Sequence, residues 1–434
     1  MASRDEGFRV KVLAVFPDGQ LPSPKATGGV PVMSWALVRT LLDAKHEVLI
    51  CSIRPASPMQ DYDEAKRKLD RSGVGVYELP APVEDEEGGR LRRYCRVLRR
   101  TIRPRLSDFY PAWGLRAEFN SLVERVRPDV LYLYTMRAVA LAAAVGPRPP
   151  KAAALVDLDH LVRRYRREFR PVQGLRKRVV RFLGILGERA MPGITVRLLK
   201  DCVVVFEHAA HHAEWLKARG VANVLYYPNP VIDQAPSGLG ETGGEDAGLS
   251  GRPPVFLLLG GLQGIATLSG LRFLADEVLP RLVERLGPGG FSVRIAGKGT
   301  LPDDLATRFA RPEVAFLGFV ENMGRELAGC HAFVVPTPIP LGFRTRIAEA
   351  FSYGACVVAH SANGLGMPEL KHEENCLLAD RGDAFAEQMV RACRDADLRR
   401  KLCANARKTY ETALNWTAIC RCVTGDLERA ATSR

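Results

Sequence analysis

The sequence contains no paired cysteine motif and no long apolar run. Its ten cysteines are scattered without a C-x-x-C pair, and most lie in apolar segments such as DCVVVF and GACVVA. Neither a disulfide framework nor a zinc site is indicated, so we expect reduced, buried thiols. No stretch approaches the ~18 apolar residues that span a bilayer. The opening MASRDEGFRVKVLAVF leads directly into a strand-like run, so we expect no signal peptide and a cytoplasmic protein.

The length and composition are those of a soluble protein with more than one core. The chain has 434 residues, of which 47% are hydrophobic and 26% are charged. Because single cores stop growing at roughly 250–300 residues, two domains are expected.

The positive charge is concentrated in two segments. The net charge is +13, with eight arginines between Arg90 and Arg105 and nine lysines or arginines between Arg163 and Arg181. Such segments attract anions, although solvated helix faces would explain them as well. The basic residues alternate with Leu, Val, Ile, Tyr and Phe at roughly helical spacing, which suits an interfacial helix on anionic lipid. We therefore expect peripheral contact with the inner face of an anionic membrane through 90–105 and 163–181. An anionic soluble acceptor is the alternative, and nucleic acid is disfavoured because no aromatic platform or known module is present.

Short apolar, β-branched runs alternate with helix-like segments along the whole chain. This order is typical of parallel βαβ units and predicts a doubly wound α/β protein. One segment, QAPSGLGETGGEDAGLSGRPP, breaks the alternation with six glycines and no apolar periodicity, which is typical of a linker. The expected organisation is a Rossmann-like domain over 1–233, a glycine-rich linker over 234–253, a second Rossmann-like domain over 254–410, and a helix over 411–434 that packs back on the first domain.

Four motifs in the second half resemble one known family. In order, they are FLLLGGL, VRIAGKG, VAFLGFVENMGRELAGCHAFVVPT and GFRTRIAEAFSYGACVVAHSANGLG. Their order and spacing resemble the donor-binding domain of GT-B glycosyltransferases, in particular glycosyltransferase family 4 and its exopolysaccharide-type subgroup (group 1). The first half resembles the family more loosely, through ATGGVPVMSWALVRTLLDAKHEV and VLYYPNPVID.

The resemblance implies a fold and an activity. The fold would be GT-B, with two Rossmann-like domains facing a central cleft. The activity would be retaining transfer of a hexosyl or related sugar from a nucleoside diphosphate sugar, without a cofactor or a required metal. The acceptor is left open among lipid-linked, polysaccharide and natural-product molecules, with polysaccharide biosynthesis as the expected setting. The alternative is a GT-B scaffold with impaired catalysis that acts as a binding or partner protein.

The segment TPIPLGFRTRIAEAFSYG carries the main donor-site candidates. By resemblance, Glu349 is the second glutamate of the family's E-x7-E motif and accepts hydrogen bonds from the ribose hydroxyls; a solvated helical glutamate is the alternative. The first glutamate is replaced by Leu341, which leaves the sugar identity and full activity in doubt. The loop QGIATLSG lacks the cations that many relatives use for the diphosphate, so we expect Arg346, with Arg344 as a second candidate, to supply that charge. An exposed arginine pair is the alternative.

Several turns complete the candidate donor site. Gly28 and Gly29 lie between the first strand and a helix, where bare backbone amides could approach a diphosphate or sugar, unless they form a plain turn. The remaining donor-site candidates follow strands of the second half: Gly261, Lys298, Asn363 and Gly364.

A polar cluster in the first half is the candidate for the sugar and acceptor side. In LVDLDHLVRRYRREF, Asp157, Asp159 and His160 follow a predicted strand at the expected cleft. The resemblance places a histidine or aspartate near the transferred sugar, so we assign these residues an orienting role in catalysis together with Arg346. A helix cap by either aspartate is the alternative. His208, His211 and His212 have the spacing of metal ligands, but we expect a helix surface there.

Overall fold

The structure, a computed structural model, comprises two compact units. Its described residues are 9–17, 19, 21–24, 29–54, 60–81, 99, 101–169, 174–233, 235, 249, 251 and 253–432. Contacts group Met1–Arg164, Arg170–Pro230 and Thr417–Arg434 into unit 1, and Tyr165–Phe169 and Val231–Trp416 into unit 2. Most of the predicted linker 234–253 lies outside the described residues.

Unit 1 is built on a seven-stranded parallel sheet. Its strands are β1 (Lys11–Phe16), β2 (Glu47–Ile53), β3 (Gly75–Leu79), β4 (Val130–Tyr134), β5 (Lys151–Leu155), β6 (Val204–Glu207) and β7 (Val224–Tyr226). The spatial order is β3-β2-β1-β4-β5-β6-β7. The first three strands are added towards one edge of the sheet and the last four towards the other, so the strand order reverses between β1 and β4. All residues of β4 and β5 are buried, as expected for strands covered by helices on both faces.

Helices lie between these strands along the chain. They are α1 (Gly29–Asp43), α2 (Gln60–Arg71), α3 (Leu106–Phe109), α4 (Arg116–Val126), α5 (Thr135–Leu141), α6 (Asp159–Phe169), α7 (Leu175–Glu188), α8 (Met191–Leu199) and α9 (Ala210–Lys217), with 3₁₀ turns at Pro111–Leu115 and Ala142–Ala144. The segment NVLYYPNP (223–230) has a strand-like pattern, but the strand ends at Tyr226. Pro228 and Pro230 follow, and proline cannot donate to the sheet ladder.

Unit 2 is built on a six-stranded parallel sheet. Its strands are β8 (Val255–Leu259), β9 (Ser292–Ala296), β10 (Val314–Gly318), β11 (Ala332–Val335), β12 (Val357–His360) and β13 (Leu377–Ala379). The spatial order is β10-β9-β8-β11-β12-β13, which is the doubly wound order with its reversal between β8 and β11.

The helices of unit 2 and of the C-terminus complete the chain. They are α10 (Ile265–Phe273), α11 (Leu279–Leu286), α12 (Asp303–Arg308), α13 (Met323–Ala328), α14 (Thr345–Ser352), α15 (Asn363–Gly366), α16 (Gly382–Arg394), α17 (Ala396–Ala413) and α18 (Trp416–Thr432). The two parallel sheets with their helices confirm the predicted α/β class. Among the described residues, no helix combines the length and the apolar character that a membrane crossing requires.

One predicted helix is interrupted. The segment SGLRFLADEVLPRLVERL (269–286) has the pattern of a single helix, but α10 and α11 are joined by a π-helical turn at Leu274–Val278. Pro280 explains the interruption, because its ring lacks an N–H and clashes with the carbonyl four residues earlier. A local change in hydrogen-bond period lets the helix continue past the proline.

The last helix packs within unit 1. His46 Nε2 lies 2.9 Å from Glu428 Oε1, and the Tyr227 hydroxyl donates to Asp426 Oδ2 at 2.9 Å. The helix begins at Trp416, after a break at Leu414 and Asn415.

Candidate functional site

The candidate donor site lies at the carboxyl edge of the unit 2 sheet. In doubly wound sheets, ligands bind outside the carboxyl ends of the strands, at the point where the strand order reverses. Here that point lies between β8 and β11. The segments that leave these strands are 260–264 and 336–344, and they carry or adjoin the residues that the sequence singled out.

Glycines bring two backbone segments into close contact at this edge. A Cβ on Gly297 would lie 2.0 Å from the carbonyl oxygen of Gly260. Any residue other than glycine at position 297 would therefore push the two backbone segments apart. The Gly260 amide donates to Ala296 and the Leu262 amide donates to Lys298, both at 2.9 Å. The turns after β8 and β9 are thereby joined side by side.

Gly260, which sequence reasoning missed, is the glycine against which an arginine packs. A Cβ on Gly260 would lie 2.4 Å from Thr267 Oγ1 and 2.8 Å from Arg346 Nη1. The predicted Gly261 has open space around its Cβ position instead. The glycine pair itself was the signal, but only the structure shows which member faces the guanidinium.

Arg346 places a cation at the point where the strand order reverses. Its Nη1 donates to the Leu259 carbonyl and its Nη2 donates to Thr267 Oγ1 at 3.4 Å. The side chain is half-buried and forms no ion pair with any described residue. Burial, and then the charge of Arg344, lower the pKa of Arg346 to about 10. A guanidinium without a countercharge, next to bare backbone, is suited to receive an anion.

Arg344 is committed to its own loop. Its Nε donates to Asn363 Oδ1 at 2.8 Å and its Nη2 to the Ile339 carbonyl at 2.8 Å, while Nη1 donates to the Leu341 carbonyl. The side chain is 6% exposed. All three nitrogens therefore bond to protein oxygens and join residues 339–341 to Asn363, while the diphosphate contact of Arg344 stays a prediction.

Asn363 completes the same network. Its amide donates to the His360 carbonyl at 2.7 Å while its oxygen accepts from Arg344. It is 2% exposed, so it joins the end of β12 to the loop after β11. Its neighbour Gly364 makes ordinary contact, with its Cβ position 3.9 Å from Leu378 Cδ1.

Glu349 lies one helical turn after Arg346 on α14. Its carboxylate is half-buried and accepts no hydrogen bond from the residues that the structure describes. Burial raises the pKa of Glu349 above its ordinary value of 4.5. An acceptor held near the site without donors is consistent with a role toward hydroxyl groups of a ligand.

The predicted donor-site residue Lys298 and the position of the absent glutamate, Leu341, differ in exposure. Lys298 is exposed, and its Nζ lies 4.5 Å from the centre of the Phe319 ring. Leu341 is 6% exposed, and its carbonyl is used by Arg344. The position of the absent family glutamate therefore carries a buried apolar side chain.

The candidate residues of unit 1 form two groups, one after β1 and one after β5. Gly28 is outside the described residues, and Gly29 begins α1. Asp157 follows β5, and Asp159 and His160 begin α6. The structure thus brings Asp157, Asp159 and His160 together at the carboxyl end of β5.

His160 forms one end of an aromatic stack. Its ring centre lies 5.0 Å from that of Trp215, and the Arg219 guanidinium lies 3.9 Å from the Trp215 ring centre. Burial first, and then the charges of His212 and Arg219, lower the pKa of His160 to about 4. His160 is therefore neutral at neutral pH and able to act as a hydrogen-bonding group.

The helix-surface prediction for the three histidines is wrong for two of them. His208 and His212 are 6% and 1% exposed, and His208 Nδ1 lies 2.8 Å from the Tyr227 carbonyl. His212 Nδ1 lies 3.6 Å from Oε1 of the fully buried Glu207, whose pKa is raised by that burial. His208 directly follows β6 and His212 lies on the buried face of α9, neither of which the histidine spacing alone could show. Over the described ranges, no group of three or more His, Cys, Asp or Glu side chains is arranged to hold a metal ion.

Replacing Arg344 should destabilise the protein more than replacing Arg346. Arg344→Met leaves three oxygens without their buried donor, so we expect a loss of roughly 3 kcal/mol in the free energy of unfolding. Arg346→Met removes a desolvated, unpaired charge and should cost less than about 1 kcal/mol. Urea unfolding of the full chain measures both, and equal losses would contradict the assigned roles.

Comparison with known proteins agrees with this architecture. Residues 253–395 match the model of the family described as Glycosyl transferases group 1. Among curated proteins, no sequence matches this chain.

Solved glycosyltransferase structures share the fold over almost the full length. Anabaena HepE in complex with UDP and glucose has a TM-score of 0.63 at 15% identity, covering 97% of this chain and 100% of that one. Sucrose-phosphate synthase from Thermosynechococcus elongatus has a TM-score of 0.66 at 16% identity, covering 97% and 98%. The trehalose 6-phosphate synthase from Burkholderia multivorans has a TM-score of 0.61 at 13% identity, covering 98% and 97%. The resemblance stated from the sequence is thereby confirmed in two respects: residues 253–395 match the group 1 glycosyltransferase family, and the whole chain shares the GT-B fold of these solved structures.

Proposed function

We propose that the chain transfers a sugar from a nucleoside diphosphate sugar to an acceptor, with retention of the anomeric configuration. The observation that carries this proposal is Arg346, a half-buried cation without an ion-pair partner in the described structure, held against Gly260 where the strand order reverses. HepE, which has the same fold, is solved with UDP and with UDP-glucose. A nucleoside diphosphate is therefore the ligand class we assign to this edge.

The electrostatics of the edge favour a departing diphosphate. Glycosyl transfer develops negative charge on the leaving oxygen, and a preorganised cation stabilises that charge. In the free protein, burial and the neighbouring charge of Arg344 already disfavour the charged form of Arg346. A bound diphosphate would supply the missing countercharge, and charge-assisted bonds from a guanidinium to phosphate oxygens are short and strong. We propose that this cation, with exposed Lys298 nearby in the turn after β9, acts without a required metal.

The other contacts with the nucleotide sugar are assigned from the positions of residues on and near α14. Glu349 is one turn beyond Arg346, so we assign its carboxylate to the ribose hydroxyls. Leu341 offers no acceptor to a sugar hydroxyl, so recognition of the transferred sugar would rely on other groups. Backbone amides after β8 and β12 are the remaining candidates.

On the acceptor side, we assign Asp157, Asp159 and His160 to orienting the sugar or the acceptor. They share the carboxyl end of β5, which is where ligands approach this kind of sheet. The neutral imidazole of His160 can donate to or accept from a hydroxyl group. The acceptor we propose is a lipid-linked molecule, a polysaccharide or a natural product.

A binding scaffold without catalysis is the second candidate. Leu341, in place of the family's first motif glutamate, is the observation that favours it. Such a protein would bind nucleoside diphosphate sugar without releasing nucleoside diphosphate. A donor-hydrolysis assay across common donor sugars distinguishes the two, because only an enzyme consumes the donor.

Replacing Arg346 should weaken nucleotide binding. In Arg346→Gln, the loss of a charge-assisted contact with the diphosphate should cost about 2 kcal/mol, or roughly thirtyfold in Kd. Calorimetric titration with UDP, ADP and GDP measures the effect. Arg381→Gln is the matched control, because Arg381 is an exposed arginine of unit 2 paired with Asp383. Equal affinity of the Arg346→Gln variant and the control would refute the site.

The Glu349→Gln substitution should raise the stability of the protein and weaken its binding of UDP. Because burial raises the folded pKa of Glu349 above 4.5, the stability gained from its neutral carboxyl is present below that pH. That stability is lost as pH rises through the folded pKa. At pH about 8 the variant should therefore melt at a higher temperature than the wild type, while binding UDP about tenfold more weakly. The exposed Glu387→Gln is the control, and a lower melting temperature in Glu349→Gln would contradict the account.

His160 should stay neutral over the physiological range. Its folded pKa of about 4 lies below the unfolded value of 6.5, so its contribution to stability is present above the unfolded pKa. That contribution is lost as pH falls through the folded pKa. Histidine-selective NMR, assigned with His160→Gln, should show no His160 titration between pH about 5 and about 8. In Arg219→Gln the midpoint should rise, and a wild-type midpoint near 6.5 would contradict the predicted neutral state.

A further inference from the structure

An apolar ridge on helix α7 faces solvent. Leu175, Val179 and Phe182 are 79%, 48% and 59% exposed, and Ile102 is 69% exposed. These four are half of the eight exposed large hydrophobic residues that the described part of the chain contains. We call Leu175, Val179, Phe182 and Ile102 the α7 ridge.

Leu175, Val179 and Phe182 form one strip because of helical geometry. Positions 175, 179 and 182 are spaced by four and three residues, which puts them on one face of the helix. Thr101 Oγ1 donates to the Leu183 carbonyl at 3.0 Å, so the segment that bears Ile102 runs beside the same helix. Contiguous apolar surface of this kind marks an interaction site more often than single exposed residues do.

The surroundings of the ridge are basic. Helix α7 contains four lysines or arginines and one acidic residue, Glu188. Glu188 Oε1 already lies 3.7 Å from Arg163 Nη1, so it offers little negative charge to a partner. Arg178 on the helix is exposed, as is Arg103 next to Ile102. A partner that covers the ridge must therefore be both apolar and anionic.

A second copy of the chain would not meet this requirement. A symmetric contact through the ridge would bring the same basic residues face to face, and like charges oppose such contacts. A bilayer with anionic headgroups supplies both properties, because aliphatic and aromatic side chains enter the headgroup–acyl boundary while arginines stay with the phosphates.

We propose that the α7 ridge docks this glycosyltransferase on an anionic lipid surface, with Phe182 and Leu175 entering the interface and Arg178 and Arg103 contacting headgroups. The proposal is independent of the donor site, because docking requires no nucleotide. It would place unit 1 against the membrane surface, where a lipid-linked acceptor is presented.

Vesicle sedimentation of the full chain tests the docking. The wild type should bind vesicles of equal parts phosphatidylcholine and phosphatidylglycerol, and pure phosphatidylcholine vesicles much more weakly. Leu175→Ser with Phe182→Ser should reduce binding to the anionic vesicles at least tenfold, because serine removes the inserted apolar surface. Arg178→Glu should reduce it about tenfold, and raising the salt to about 0.5 M should reduce wild-type binding.

The control is Phe316→Ser, which removes a phenylalanine that is 44% exposed on β10 of unit 2. It should bind vesicles like the wild type. The proposal is overturned if the wild type ignores anionic vesicles, or if the ridge variants bind them as the control does. It is also overturned if light scattering shows a wild-type dimer that Phe182→Ser dissociates. A thermal melting curve like that of the wild type confirms for each variant that the fold is intact.

Discussion

The buried guanidinium of Arg344 holds the candidate donor site together. It reaches the carbonyls of Ile339 and Leu341 and the side chain of Asn363, and so joins the loop after β11 to the start of α15. A buried charge of this kind is tolerated only where hydrogen bonds replace its hydration. The loop that precedes α14 is therefore fixed by its own arginine, and α14 begins at a defined place.

Fixing α14 determines where Arg346 lies. Two residues along, the second guanidinium points across the sheet edge to the Leu259 carbonyl and the backbone of Gly260. Arg344 thus has all three of its guanidinium nitrogens bonded to protein oxygens, whereas Arg346 has two bonded and no ion pair in the described structure. This difference between neighbouring like charges is the structural basis of the leaving-group stabilisation that we propose for Arg346.

Much of the architecture could be predicted from the sequence, and side-chain roles less so. The alternation of apolar runs identified both parallel sheets because each buried strand carries its own pattern. The roles of Arg344 and Arg346 could not be separated, since their spacing says nothing about which carbonyls they reach. The role of Gly260 could not be predicted without the position of the Arg346 guanidinium. The burial of His212 could not be predicted without knowing which face of α9 packs inward. Pro280 was visible in the sequence, but its effect was a π turn within a continuing helix.

A crystal structure of the chain with bound UDP tests the central claim most directly. The account predicts the diphosphate at the carboxyl edge between β8 and β11, with a phosphate oxygen about 3 Å from the Arg346 guanidinium. The ribose hydroxyls should lie at the Glu349 carboxylate, and Arg344 should keep its bonds to the loop. A diphosphate bound elsewhere, or one held by Arg344 in place of Arg346, would contradict it.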